Sequence, residues 1–143
     1  MKRRRTLVAC SLIAAGIAAF GVFRASAVPF VNFLSINDVS VIEGDSGTTI
    51  AQFTVTLAPT ALLETITVHY ATADGSARAP GDYAATSGDL TFLPGTSTQT
   101  FSVPVVGDVF AEPNEKFFVN LSNPTGASIA DGTGEGTVTN DDG

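Results

Sequence analysis

An all-β, immunoglobulin-like antiparallel β-sandwich of about seven strands is the fold this sequence predicts. Three observations carry it. Apolar and polar side chains alternate along most segments between residues 50 and 121, as in strands with one buried face. Turn-forming runs recur between them: Glu43-Gly44-Asp45-Ser46-Gly47, Asp74-Gly75, Ala79-Pro80-Gly81-Asp82, Leu93-Pro94-Gly95 and Asn123-Pro124-Thr125-Gly126. No stretch beyond residue 27 has helical periodicity, and Ala58–Glu64 has room for one helical turn at most.

The chain opens on a segment that does not belong to the fold. Lys2, Arg3, Arg4 and Arg5 precede an apolar or small run, Thr6–Phe23, and Ala25-Ser26-Ala27 supplies a cleavage signal. Residues 1–27 read as a secretory signal peptide, leaving 28–143 as one domain. Other readings stay open. Leu7–Phe23 sits at the short edge of a bilayer span and would serve as an uncleaved anchor. Leu7-Val8-Ala9-Cys10 has the form of a lipoprotein box, though the Cys opens the apolar run instead of closing it, and Arg3-Arg4-Arg5 suits a twin-arginine route.

The strands follow in order. Leu34–Ile42 is the first. Phe53, Val55 and Leu57 alternate with Gln52, Thr54 and Thr56 in the second, and Ile66, Val68 and Tyr70 with Thr65, Thr67 and His69 in the third. Asp89–Leu93 is the fourth, and Phe101, Val103 and Val105 mark the fifth. Phe117, Val119 and Leu121 mark the sixth, where Phe118 interrupts the polar face. The seventh is Ala127–Thr139, with Asp131-Gly132-Thr133-Gly134 read as a bulge or kink between two half-strands.

Charge separates the function classes. Removing residues 1–27 leaves Arg78 and Lys116 against 14 acids, a net charge of −12. Nucleic acid is excluded as a partner and no membrane is expected for the mature form, since both call for a basic patch. Without Cys10 the domain has no cysteine, so an exported chain must hold its loops by something other than disulfides.

The acids themselves fall in alternate loops. The turns after the first, third, fifth and seventh strands hold Glu43, Asp45, Asp74, Asp82, Asp108, Glu112, Glu115, Asp141 and Asp142; the intervening turns hold only Glu64. With antiparallel neighbours, odd-numbered strands finish at one end, so these carboxylates collect at one pole. Crowded carboxylates either repel or share a cation. Calcium takes six to eight oxygen ligands from converging loops, whereas a single His and no mature Cys give transition metals little to bind. Magnesium is less suited, since it favours few carboxylates together with substrate phosphates. The bland reading is a solvated acidic surface that keeps an exported domain soluble.

Several runs resemble a Calx-beta domain: Val39-Ser40-Val41-Ile42-Glu43-Gly44, Tyr70–Ala77, Gly81-Asp82-Tyr83, Leu90–Gly95, Asp108–Phe117, Leu121–Pro124 and Gly136–Asp142. They cover about 33–142 in unbroken order. The resemblance implies an immunoglobulin-like sandwich with calcium at one pole. It also implies the ligands Glu43, Asp82, Asp108, Glu112, Glu115, Asp141 and Asp142. Gly107, Asn114 and Asn140 stand where richer members carry Asp, which implies fewer or weaker sites. Asp45 and Asp74 are left as turn formers.

Enzymatic readings have little to rest on. His69 alternates with Val68 and Tyr70 and faces solvent without a Ser or Asp arranged for a triad. The acid pairs lack a tryptophan sugar platform, the chain having no Trp. Gly132–Gly136 has no following helix or nearby Lys to make a phosphate loop. Tyr83 anchors its loop to the core. The expectation is therefore a non-enzymatic calcium-binding module, secreted, periplasmic or at the cell surface. The alternative is a metal-independent interaction or adhesion domain whose partners are other secreted or cell-surface proteins.

Overall fold

The computed structural model describes residues 31–143, so the signal-peptide, anchor, lipoprotein and twin-arginine readings lie outside the described residues. The described chain is two packed β-sheets: β1 (Phe33–Ile36), β2 (Val39–Ile42), β3 (Thr48–Ala58), β4 (Ile66–Asp74), β5 (Ser87–Phe92), β6 (Thr98–Val106), β7 (Glu115–Thr125), β8 (Ser128–Asp131) and β9 (Thr133–Thr139). One sheet runs β6-β3-β1-β8, the other β2-β9-β7-β4-β5. Residues 59–65 form an irregular loop, and the single helical turn allowed there does not form.

The sandwich is as expected, but seven expected strands become nine because the first and last each change sheets. Leu34–Ile42 divides at Asn37-Asp38: β1 pairs antiparallel with β3 in one sheet, and β2 pairs with β9 in the other. Ala127–Thr139 divides at Gly132, where a bulge or kink between two half-strands was expected, and the halves join different sheets. Both halves of the first strand lie parallel to halves of the last, β1 to β8 and β2 to β9, so pairing is not antiparallel throughout. A close approach makes the crossover possible. A Cβ at Gly134 would lie 2.7 Å from the Asn37 carbonyl oxygen, so only glycine lets the two switching segments pass. Asp38 Oδ1 accepts from Glu135 N at 2.8 Å beside it. The split halves keep one direction, so odd-numbered paths still end together.

The alternating side chains meet between the sheets as the periodicity requires. Phe53, Val55, Leu57, Val103 and Val105 face Ile66, Val68, Phe92, Phe117 and Val119, all buried. Phe53 stacks on Phe101 with centroids 5.6 Å apart and meets Phe117 edge-on at 6.0 Å. Tyr83, 1 % exposed, stacks on Phe117 at 4.5 Å and anchors its loop as anticipated.

Candidate metal centre

One end of the sandwich gathers the termini of β2, β4, β6 and β9 and the starts of β3 and β7. Register fixes this: Ile42 pairs with Thr139, Thr48 with Val106, Asp74 with Phe117 and Glu115 with Val138. The connections leaving these strands contain the acids. Glu43 follows β2, Asp82 lies between β4 and β5, Asp108 and Glu112 lie between β6 and β7, Glu115 opens β7, and Asp141 and Asp142 follow β9.

Each connection is fastened before any ion is considered. Asp74 Oδ1 accepts from the Tyr83 hydroxyl at 2.6 Å and from Ala79 N at 3.0 Å, closing the β4–β5 connection on the buried tyrosine. Asp74 is thus a turn former, its carboxyl held below the ordinary range by the Tyr83 bond first and the Ala79 bond second. Tyr83 is pushed up to about 12, by burial and then by Asp74. Asp82 is set at the site by backbone: its carbonyl accepts from Val106 N at 2.9 Å, and its Oδ2 accepts from Arg78 N at 2.7 Å. Lys116 N donates to Ser76 Oγ at 2.9 Å, bringing Glu115 beside that loop. Glu43 is joined to β9 by its own N–H to the Thr139 carbonyl at 3.1 Å. Asp108 Oδ1 caps its own turn by accepting from Phe110 N at 2.8 Å, leaving Val109 and Phe110 exposed.

The seven carboxylates form two groups with Asp108 facing both. Oxygens of Glu43, Asp141 and Asp142 all lie within 4.8 Å of one another, as do those of Asp82, Glu112 and Glu115. Asp108 belongs to neither triplet, yet its charge acts on Glu43, Glu115 and Asp142. Burial, then the Asp108 and Glu112 carboxylates, raise the Glu43 pKa; that residue is 5 % exposed. Burial and then Asp82 raise Glu115. Burial and then the Asp45 charge raise Asp142.

Among the described residues no ion pair answers these charges. Among the described residues the one Lys pairs with Glu135 at 3.1 Å, and no Lys or Arg comes within ion-pair distance of the seven. Two acceptor oxygens, Asp142 Oδ2 and Asn140 Oδ1, are buried with no hydrogen-bond partner. Buried acceptors without partners are costly, and two in one short segment mark a place where a donor or cation fits. Asn140 was read as a lost acid. Its Nδ2 donates to the Asp142 carbonyl at 2.6 Å and its N to Asn114 Oδ1 at 3.0 Å, which fixes the amide and leaves Oδ1 unpartnered. Its place at the head of Asn140-Asp141-Asp142 was the available signal, and an amide oxygen is an ordinary ligand for hard cations. Gly107 differs: a Cβ there would sit 2.5 Å from the Gly44 carbonyl oxygen, so close packing of the two loops holds that position to glycine. The donor set is oxygen throughout, with neither imidazole nor thiolate, and suits a hard divalent ion over a transition metal.

Fold and pole together define a β-sandwich module with an acidic, loop-built cation site at one end. The chain belongs to the Calx-beta domain family, whose model matches residues 29–142. Human sodium/calcium exchanger 3 is 45 % identical over 60 residues, which is 42 % of this chain and 6 % of the exchanger. Sodium/calcium exchanger 1 of Canis lupus familiaris is 39 % identical over 62 residues, 43 % of this chain and again 6 % of that protein. Among solved structures, the apo-form Calx CBD1 domain superposes with a TM-score of 0.65 at 23 % identity, covering 79 % of this chain and all of that one. The calcium binding domain CBD12 of CALX1.1 superposes with a TM-score of 0.66 at 26 % identity, covering 76 % of this chain and 46 % of that one.

Proposed function

We propose that this chain is a non-enzymatic, exported calcium-binding module. In this reading Glu43, Asp82, Asp108, Glu112, Glu115, Asp141 and Asp142 are the ligands, and the Asn140 amide oxygen adds a neutral one. One observation carries it: two carboxylate triplets form at the pole, with no ion-paired Lys or Arg among the described residues and with Glu43 almost wholly buried. Similarity to a calcium binding domain structure supports the choice of ion. Calcium would neutralise the pole and join loops that no disulfide holds, making one end of the sandwich rigid. The cationic and apolar start of the chain, with Ala25-Ser26-Ala27, supports export to the periplasm, cell surface or medium.

Extracellular modules bind calcium with Kd of ~0.1–1 mM. At ~1 mM free ion such a site adds roughly 0.4–1.4 kcal/mol to stability. Calorimetric titration and thermal melts with calcium or chelator test this directly. Binding heat and a higher melting temperature in calcium are expected, and both should disappear in Glu112→Gln/Glu115→Gln. A flat titration with an unmoved melt would leave a metal-independent interaction domain of the same fold.

A further inference from the structure

β6 closes one side of the four-stranded sheet, pairing with β3 alone among the described strands. On the β3 side, Gly107 N donates to the Gly47 carbonyl at 3.0 Å and the Ser97 carbonyl accepts from Leu57 N at 2.7 Å, so odd-numbered residues turn their main-chain groups that way. Even-numbered residues turn theirs to the open side. Val106 N donates to the Asp82 carbonyl at 2.9 Å there, and the Pro104 carbonyl accepts from Ala84 N at 2.8 Å. Residues 82–84 thus cover the last stretch of the edge, with Tyr83 bridged to Val105. Thr98, Thr100 and Ser102 continue the outward series and are exposed. Among the described residues nothing pairs with their N–H and C=O groups. Open strand edges are ordinarily blunted by shortness, charge or proline. β2 and β8 have four residues each, and β8 ends on Asp131. β5 carries the exposed Asp89, and its Thr91 carbonyl accepts from Gln99 Nε2 at 2.8 Å. β6 has nine residues and no charge, and its one proline lies in the stretch already covered.

We propose that the open stretch of β6 pairs with the same stretch of a second copy, antiparallel about Thr100, so that two four-stranded sheets run into one. The edge fits its own reverse. Thr98 meets the partner's Ser102 and Thr100 meets the partner's Thr100, each pair exchanging two main-chain hydrogen bonds as in the close pairs of an antiparallel ladder. Gln52, Thr54 and Thr56, in register with Ser102, Thr100 and Thr98, are uncharged as well, so the joined faces bring no like charges together. Direction is set by the acids. β6 ends at the carboxylate pole, where its Val106 is bonded to Asp82 and Asp108 follows. Parallel pairing would set two such poles side by side, whereas antiparallel pairing sends them to opposite ends. Residues 100–107 span about 24 Å, which puts the poles roughly 50 Å apart, several screening lengths at ordinary salt. Neither carboxylate triplet takes part, so the pairing stands or falls separately from the calcium reading.

Amide hydrogen exchange of the full chain at rising concentration tests this residue by residue. So short a pairing buries much less than a stable interface does, and a Kd on the order of 0.1 mM is expected. Raising the chain from ~10 µM to ~1 mM then moves most copies into pairs, and exchange at Thr98, Thr100 and Ser102 should slow about fourfold. Phe101 and Val103, which face β3 in either state, should not change. Thr100→Pro removes an outward N–H as Pro104 does further along the strand, and Thr100→Lys sets two like charges across the two-fold axis. Each should abolish the slowing at Thr98 and Ser102, and the Lys variant decides alone if the Pro variant does not fold. Exchange at the three amides that is as fast at high concentration as at low would overturn the proposal. So would association that leaves them at the dilute rate, since another surface is then used. Slow exchange in a chain of monomeric mass would overturn it too, because a segment of the same chain then occupies the edge.

Discussion

Glu43→Gln separates the cost of the acidic pole from its use, because its effect should change sign with calcium. The carboxylate is 5 % exposed, and the charges acting on it come from Asp108, Glu112, Asp142 and Asp141, all of one sign. In chelator the change removes a buried charge that repels its neighbours, and the amide gains donors that those carboxylates accept. The variant should therefore melt at or above the wild-type temperature. In calcium it lacks a ligand to the triplet it shares with Asp141 and Asp142. A site of ~0.1–1 mM affinity contributes roughly 0.4–1.4 kcal/mol at ~1 mM calcium. With about 4 °C per kcal/mol for a domain of this size, the wild type should gain about 2–6 °C per occupied site. The variant should lose that increment at the Glu43 triplet. Differential scanning calorimetry of both proteins, each in ~1 mM calcium and in chelator, gives the four temperatures needed. A variant that melts lower than wild type in chelator and still shows the full calcium shift would show that Glu43 is a structural group and not a ligand.

Other perturbations address the frame around the site. In chelator, denaturant stability should fall as pH rises from about 4 toward 7. Glu43, Glu115 and Asp142 have folded pKa values above their ordinary 4.5, 4.5 and 3.8, so the folded state holds protons that the unfolded chain has released. Asp74, lowered from 3.8, acts oppositely and contributes to loss of stability only in stronger acid. Saturating calcium should flatten the decline toward neutral pH, and a chelated protein already flat there would contradict the repulsion described. Tyr83→Phe removes the 2.6 Å bond to Asp74 and should cost about 1–2 kcal/mol by urea titration with an unchanged slope. No loss would mean that stacking on Phe117 alone anchors the loop. Gly107→Asp would supply the acid that the resemblance implied at this position, yet its Cβ would meet the Gly44 carbonyl. It should lower stability in chelator by about 1–3 kcal/mol, read by the same titration, and a stability at or above wild type would refute the close packing.

Much of this molecule was legible because period-two patterning and strand direction are local properties. Phe53, Val55 and Leu57 had to share a face, and so did Phe117, Val119 and Leu121; all six are buried. The acidic pole followed from direction alone, and splitting two strands did not disturb it because β1 and β2, like β8 and β9, keep one heading. The splits themselves were not legible. Gly132 and Gly134 announce a break, but a bulge and a change of sheet begin with the same glycines. Only the partner across the gap, Asn37 against Gly134, decides between them. The proposed ligand set shows the same division. Carboxylates declare themselves by type, whereas Asn140 declares itself by the absence of a partner at Oδ1, which no sequence displays.

The two amides at the pole explain how a site with fewer acids can still be shaped as one. The resemblance implied acids where Asn114 and Asn140 stand, and a pair of carboxylates in their place would repel. Instead Asn114 Oδ1 accepts from Asn140 N at 3.0 Å, and Asn140 Nδ2 donates to the Asp142 carbonyl at 2.6 Å. The loop that carries Glu112 and Glu115 is thereby tied to the segment that carries Asp141 and Asp142 without any ion between them. Lower negative charge weakens attraction for calcium, but a pole already joined has less ordering entropy to lose when calcium arrives. Asn114→Asp would exchange the second effect for the first. Near neutral pH its carboxylate can still accept from Asn140 N, but it adds an unpaired charge to the seven already gathered. The chelated protein should lose stability while the calcium-induced melting shift grows. A smaller shift would mean that the amide is itself part of the binding site.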